Sequence, residues 1–69
     1  MNKSLIYRGR EVEVTTMAKP GGYGFEAQVD HRSLNIGKYE GASTEREAFD
    51  DGILFAKQHV DLLSPDGTA

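Results

Sequence analysis

The chain has 69 residues, a formal net charge of −3, 38% hydrophobic residues and no cysteine. This length allows one domain with a small core, because so short a chain buries only about 60% of its unfolded surface. The absence of cysteine excludes disulfides and thiolate metal ligands, which leaves self-association as the natural way to supplement the core.

The first strand is predicted in residues 5–17, LIYRGREVEVTTM. Its later half alternates, so one set of side chains faces the core and the other faces water. The inward set is Val12, Val14 and Thr16, and the outward set is Glu11, Glu13 and Thr15. Leu5 and Tyr7 have the parity of the glutamates, and we expect a bulge at Gly9 to reset it.

Two further strands follow the turn sequence AKPGGYG at residues 18–24. The second strand is FEAQVDH, residues 25–31, which again alternates apolar and polar side chains. A short turn then leads to the third strand, LNIGKYE, residues 34–40. Short turns make consecutive strands antiparallel neighbours, so the pattern predicts a three-stranded antiparallel meander.

One helix is predicted after the sheet. Thr44 is a good N-cap, and Glu47 three residues later completes a capping box. Apolar residues then recur at spacings of three and four, which predicts one buried stripe. The stripe is Phe49, Ile53, Ala56, Val60 and Leu63. We therefore expect an α+β fold of the β-β-β-α type, with one domain over residues 1–64 and a flexible tail over residues 65–69.

The residues that could carry chemistry do not form a recognisable site. His31 and His59 lack the spacing and the partner ligands of a metal site. The carboxylates have no large pocket available to separate their pKa values, and no serine lies in a nucleophile motif. We expect no metal, no cofactor and no enzymatic activity. No apolar run approaches the roughly 18 residues that span a membrane, so we expect a cytoplasmic protein.

A nucleic-acid interface is one alternative. The candidate contacts are Arg8, Arg10, Arg32 and Lys38. The predicted outer face of the sheet carries Glu11, Glu13, Glu26 and Asp30, with Arg32 extending it. An acidic face repels a phosphate backbone, so this alternative is disfavoured.

A protein-contact surface is the second alternative, on one side of the helix. Four residues are the candidates: Leu54, Phe55, His59 and Leu62. They fall outside the buried stripe, and uncovered apolar side chains on one flank indicate a partner surface. Coverage by the curled sheet or by the SLIY segment, residues 4–7, is the competing interpretation.

Several segments resemble known families. Tyr7-Arg8-Gly9, the segment Ile36-Gly37-Lys38-Tyr39 and the helix opening TEREAF are similar to the AP2 DNA-binding domain and to the arm-binding domains of phage integrases. That resemblance implies three strands, one helix and DNA binding. GGYGFEAQV with GASTEREAFDDGI resembles the HicB-type antitoxin domain, which implies binding of a small toxic partner. The chain also resembles small bacterial proteins of the β-β-β-α type.

Small size and an uncovered helix flank favour one function over these alternatives. We expect a non-enzymatic protein-interaction module that self-associates, most simply as a homodimer. Nucleic-acid binding and antitoxin-like binding of a protein partner are the alternatives.

Overall fold

The computed structural model describes residues 1–63 as a four-stranded antiparallel sheet with one helix on one face. The strands are β1 (Asn2–Tyr7), β2 (Arg10–Lys19), β3 (Gly22–Val29) and β4 (Arg32–Ser33), and the helix is α1 (Glu45–Leu63). The strands lie in the order β1-β2-β3-β4. The α+β class and the C-terminal helix are confirmed, and the prediction of three strands is wrong. The predicted boundary between residues 64 and 65 lies outside the described residues.

The region predicted as one strand is a hairpin, β1 and β2. Arg8 and Gly9 both have positive φ, 53° and 78°, which is the geometry of a two-residue type I′ turn. The turn places Leu5 opposite Val12, so both side chains point to the same face of the sheet. The predicted bulge at Gly9 is therefore wrong, and the parity conflict at Leu5 and Tyr7 arises because the chain reverses there.

The predicted third strand, residues 34–40, is also wrong, because none of those residues is in a strand. β4 contains only Arg32 and Ser33, after a turn at residues 30–31, and the chain then leaves the sheet. It leaves because Leu34, Ile36 and Tyr39 pack against the core on the helix side. The segment returns to the sheet once, at a bridge between Tyr23 and Ala42.

The core lies between β2, β3 and α1. From the sheet it contains Val12, Val14, Phe25, Ala27 and Val29. The buried ridge of α1 is Ala48, Gly52, Ala56 and Val60. Ala56 and Val60 were predicted to be buried, and that prediction is confirmed. Leu63 was also assigned to the buried stripe, but its side chain is 50% exposed, so that prediction is wrong. Leu63 is the last residue of α1, where a cleft opens between the helix and the turn before β4.

The start of α1 follows its capping chemistry. Thr44 Oγ1 accepts a hydrogen bond from the Glu47 amide at 3.1 Å, as an N-cap hydroxyl does at N3. Glu45 and Glu47 place negative charge in the first turn, where the helix dipole favours it. Across residues 1–63, no helix has the length and apolar character needed to cross a membrane.

Candidate protein-contact site

The four predicted contact residues lie on one side of α1, which we call the helix flank: Leu54, Phe55, His59 and Leu62. Leu62 is 81% exposed and Leu54 is 56% exposed. Phe55 and His59 are half-buried. The fold therefore splits the predicted set into two exposed leucines and two residues that also contact the body of the domain.

Phe55 is attached to the core through an aromatic cluster. Its ring centroid lies 5.9 Å from that of Phe25, and the Phe25 ring lies edge-on to Tyr39 at 4.7 Å. Such tilted and edge-to-face pairs are favourable beyond the area that they bury. The Tyr39 hydroxyl donates a hydrogen bond to Asp51 Oδ2 at 2.6 Å, which ties the loop before α1 to the helix. Partial burial and this hydrogen bond raise the pKa of Tyr39 to about 12.

A shallow groove of about 320 Å³ runs beside Leu54, between α1 and the segment that precedes it. Its apolar lining is Phe25, Ile36, Tyr39, Leu54 and Phe55, and its polar lining is Lys38, Asp51 and Gln58. Aromatic and aliphatic side chains next to polar ones are also typical of protein–protein contacts. Leu54 is thus part of a continuous apolar surface rather than an isolated exposed leucine.

His59 belongs to a second cleft, at the C-terminal end of α1. It lines this cleft together with Leu34, Leu63 and the two arginines Arg10 and Arg32. Leu63 extends the exposed apolar surface beyond Leu62, and the sequence pattern missed it because helical periodicity placed it on the buried stripe.

The four basic candidates are dispersed. Arg8 Nε lies 2.9 Å from Asp61 Oδ1, and Arg10 Nη1 lies 2.7 Å from Asp30 Oδ2. Arg32 pairs with Val29, so its side chain is on the helix side of the sheet rather than on the outer face. That part of the prediction is wrong, because the turn before β4 sets the register differently. The structure brings Arg10 and Arg32 to one cleft and leaves Lys38 beside the groove at Leu54.

Asp30 is engaged on two sides. Arg10 donates a hydrogen bond to one carboxylate oxygen at 2.7 Å, and the Glu11 amide donates to the other at 3.2 Å. Both hydrogen bonds lower the pKa of Asp30, and the one from Arg10 has the larger effect. This arrangement pins the turn after β3 to the start of β2.

The outer face of the sheet is uncovered by α1 and is acidic. The register places Glu11, Glu13 and Glu26 there, interspersed with Thr15 and Gln28. His31 Nε2 lies 3.0 Å from Glu11 Oε1 at the edge of this face. Within residues 1–63, no group of three or more His, Asp or Glu side chains is placed to hold a metal ion.

Comparison of the chain with models of protein families, with curated proteins and with solved structures finds no match. The arrangement of the described residues is therefore the basis for a functional proposal.

Proposed function

We propose that this protein is a small non-enzymatic interaction module that self-associates through the helix flank. The observation that carries the proposal is the exposure of Leu54 and Leu62, two leucines that a chain with so small a core leaves in water. Burial of leucine side chains in a contact is favourable by about 25 cal/mol for each Å² of apolar surface.

The spacing of the two leucines supports a second copy of the chain as the occupant. Leu54 and Leu62 lie four residues before and four residues after Gln58 on α1. In an antiparallel pair of α1 helices about a two-fold axis through Gln58, Leu54 of each chain lies against Leu62 of the other. A two-fold contact needs this kind of self-complementarity, and a net charge of −3 opposes it only weakly.

Nucleic-acid binding is less well supported. Arg8 and Arg10 each have an ion-pair partner within the chain, Asp61 and Asp30. The outer face that a sheet would present to a duplex carries carboxylates. Antitoxin-like binding of a different protein would use the same apolar flank, and it predicts a monomer when the chain is alone.

Sedimentation equilibrium at high micromolar concentration tests the proposal. We expect the wild-type chain to have a mass well above the 7.6 kDa of one chain. The double variant Leu54→Glu with Leu62→Glu should lose the flank contact, because each contact would then bury carboxylates without partners. A wild-type chain that remains a monomer would show that self-association is wrong.

Met17→Glu is a matched control for the double variant. Met17 is an exposed apolar side chain on the outer face of the sheet, away from α1. The substitution makes the same kind of change, apolar to acidic, without touching the helix flank. We expect its assembly state to equal that of the wild type.

A further inference from the structure

We propose that the free edge of β1 is a second contact between copies, in which the β1 strands of two chains pair antiparallel and join two sheets into one. The contact lies at the β1 edge of the sheet, whereas the helix flank lies toward the β4 edge. It shares with the proposed function only the claim that chains associate, and it uses different residues.

The register shows which backbone groups of β1 are available. The Thr16 amide donates to the Met1 carbonyl at 2.7 Å, so the even-numbered residues of β2 point their backbone groups at β1. Hydrogen-bonded and non-hydrogen-bonded pairs alternate along an antiparallel ladder. Lys3, Leu5 and Tyr7 therefore bond to β2, and Asn2, Ser4 and Ile6 point their amides and carbonyls away from the sheet. Within residues 1–63, no strand pairs with that side of β1.

The other edge of the sheet is closed by the chain itself. Leu34 donates to the Ala27 carbonyl at 2.9 Å, and Ala42 exchanges two hydrogen bonds with Tyr23, at 2.8 and 3.0 Å. The segment between Leu34 and Ala42 crosses this edge and blocks a further strand. Pairing through open edges therefore stops at two chains, whereas a sheet with two open edges would continue into a fibre.

β1 is held in position at both ends, which lowers the entropic cost of pairing. The Met1 ammonium lies 2.6 Å from Glu45 Oε2 and 2.8 Å from Thr16 Oγ1. At the other end, the Tyr7 hydroxyl donates to Asp61 Oδ1 at 3.0 Å. An edge that is already ordered loses less conformational freedom when it binds.

β1 also has few of the devices that protect edges. It contains no proline, and its six residues pair with β2 without interruption. Ile6 is 69% exposed on the outer face. Lys3 is the one charged residue in β1, and its side chain is on the helix side, in a cleft that Asp50 also lines. Lys3 is therefore the one protective charge on this edge, which carries neither a proline nor a bulge.

One register uses every available group. A two-fold axis at Ser4 places Ser4 opposite Ser4 of the second copy and Asn2 opposite Ile6. Asn2, Ser4 and Ile6, whose backbone amides and carbonyls point away from β2, then all form hydrogen-bonded pairs with the second copy. Lys3, the one charged residue of β1, lies opposite Leu5 of the second copy in this register. The two Lys3 side chains are therefore not directly opposite each other, which limits their repulsion.

Ser4→Pro tests the pairing with little disturbance of the monomer. Proline is accepted in an edge strand where its missing N–H faces solvent, and the Ser4 amide does not bond to β2. The substitution removes one donor and places the ring in the path of the added strand. We expect Ser4→Pro to leave dimers that are joined only through the helix flank, with a lower mass than the wild-type assembly. Ser4→Ala is the matched control and should keep the wild-type mass.

Combining the flank and edge variants distinguishes the effects of the two contacts on the mass of the assembly. The variant with Leu54→Glu and Leu62→Glu should remain a dimer through β1, and adding Ser4→Pro should make it a monomer. If the flank variant alone is a monomer, the edge contact is wrong and the proposed function stands. If the flank variant keeps the wild-type mass while Ser4→Pro is a monomer, the edge contact stands and the proposed function is wrong.

A cysteine probe tests the register without dependence on the proline variant. The chain has no cysteine, so Ser4→Cys introduces one thiol per chain. Opposite residues in a hydrogen-bonded antiparallel pair have α-carbons about 5.5 Å apart, within the range of a disulfide. We expect Ser4→Cys to form a covalent dimer on mild oxidation, and Ser33→Cys, exposed on β4 at the closed edge, to remain uncrosslinked. Equal crosslinking of the two variants, or none at Ser4→Cys, would overturn the proposal.

Discussion

Gly52 of α1 lies directly against Val14 of β2. A β-carbon at position 52 would be 2.6 Å from Val14 Cγ1 and 3.0 Å from the nearest atoms of the Phe25 ring. Favourable carbon–carbon contacts lie at about 3.5–4.0 Å, so any side chain here would force the helix away from the sheet. The close packing of α1 on β2 and β3 therefore depends on a residue without a side chain.

Gly52→Ala should destabilise the protein. Alanine improves helix propensity by about 1 kcal/mol, whereas overpacking a filled core costs about 1–3 kcal/mol. We expect the free energy of unfolding to fall by about 1 kcal/mol, measured by urea denaturation. Arg46→Ala, at an exposed position of the same helix and away from the helix flank, is the control and should change stability by less than about 0.5 kcal/mol. A more stable Gly52→Ala variant would contradict the close contact.

Tyr39 should titrate at unusually high pH. Partial burial is the larger cause and the hydrogen bond to Asp51 is the second, and together they raise the pKa of Tyr39 from 10.0 to about 12. The folded chain therefore prefers the neutral hydroxyl. The stability that this preference contributes is present below about pH 10 and is lost as the pH rises through about 12. The ultraviolet absorbance of tyrosinate follows the titration, and the difference between wild type and Tyr39→Phe isolates the contribution of Tyr39.

Asp51→Asn tests how much the charge of the Asp51 carboxylate contributes to that shift. An asparagine retains an oxygen that accepts from the Tyr39 hydroxyl but removes the carboxylate charge. We expect the Tyr39 titration to move toward its ordinary pKa without returning to it, because partial burial persists. An unchanged titration in Asp51→Asn would show that the carboxylate does not act on Tyr39.

Local chemistry predicted the helix and the hairpin at residues 18–24, because capping and Pro-Gly turns are decided by a few adjacent residues. The turn at Arg8 and Gly9 was missed because a type I′ turn usually has Asn or Asp at its first position. Its signal was the parity conflict of Leu5 and Tyr7, which fits a chain reversal as well as a bulge. The proposed edge contact at β1 could not be inferred from the sequence either, since β1 was not recognised as a separate strand.

The helix flank was only partly predictable for a different reason. Helical periodicity identifies which residues share a face, but it does not show where the sheet ends beneath the helix. Leu63 has the correct phase for burial and yet lies at an open cleft. Phe55 has the phase of an exposed flank and yet reaches Phe25. Those outcomes depend on the position of α1, which the absent side chain of Gly52 sets through tertiary packing.

The turn after β3 offers a stabilising substitution. Asp30 and His31 have φ of 53° and 67°, a left-handed conformation that costs a residue with a β-carbon roughly 1 kcal/mol. His31→Gly removes that cost and also removes the exposed contact with Glu11, which is worth little. We expect the free energy of unfolding to rise by about 1 kcal/mol.

Thermal or urea denaturation measures the effect of His31→Gly, and His31→Ala is the matched control. Alanine also removes the contact with Glu11 but keeps a β-carbon in the left-handed conformation. We expect His31→Ala to give no gain in stability. If the two variants were equally stable, backbone conformation would not be the cause.

Glu45 should make the stability depend on pH near the start of α1. The Met1 ammonium lies 2.6 Å from Glu45 Oε2, and the Thr16 hydroxyl donates to the same oxygen at 2.8 Å. These hydrogen bonds, that from Met1 first, lower the pKa of Glu45 below its ordinary value of 4.5. The stability they contribute is present above that value and is lost as the pH falls through the lowered pKa.

Glu45→Gln should therefore lower the urea midpoint at about pH 7, where the carboxylate is charged, and should differ less from the wild type at about pH 3. Glutamine retains a hydrogen-bond acceptor but loses the charge that attracts the ammonium. Glu40→Gln makes the same substitution at an exposed residue before the helix, so it controls for the change in net charge. A midpoint difference between Glu45→Gln and Glu40→Gln that stays constant between the two pH values would mean that the Met1–Glu45 ion pair does not stabilise the fold.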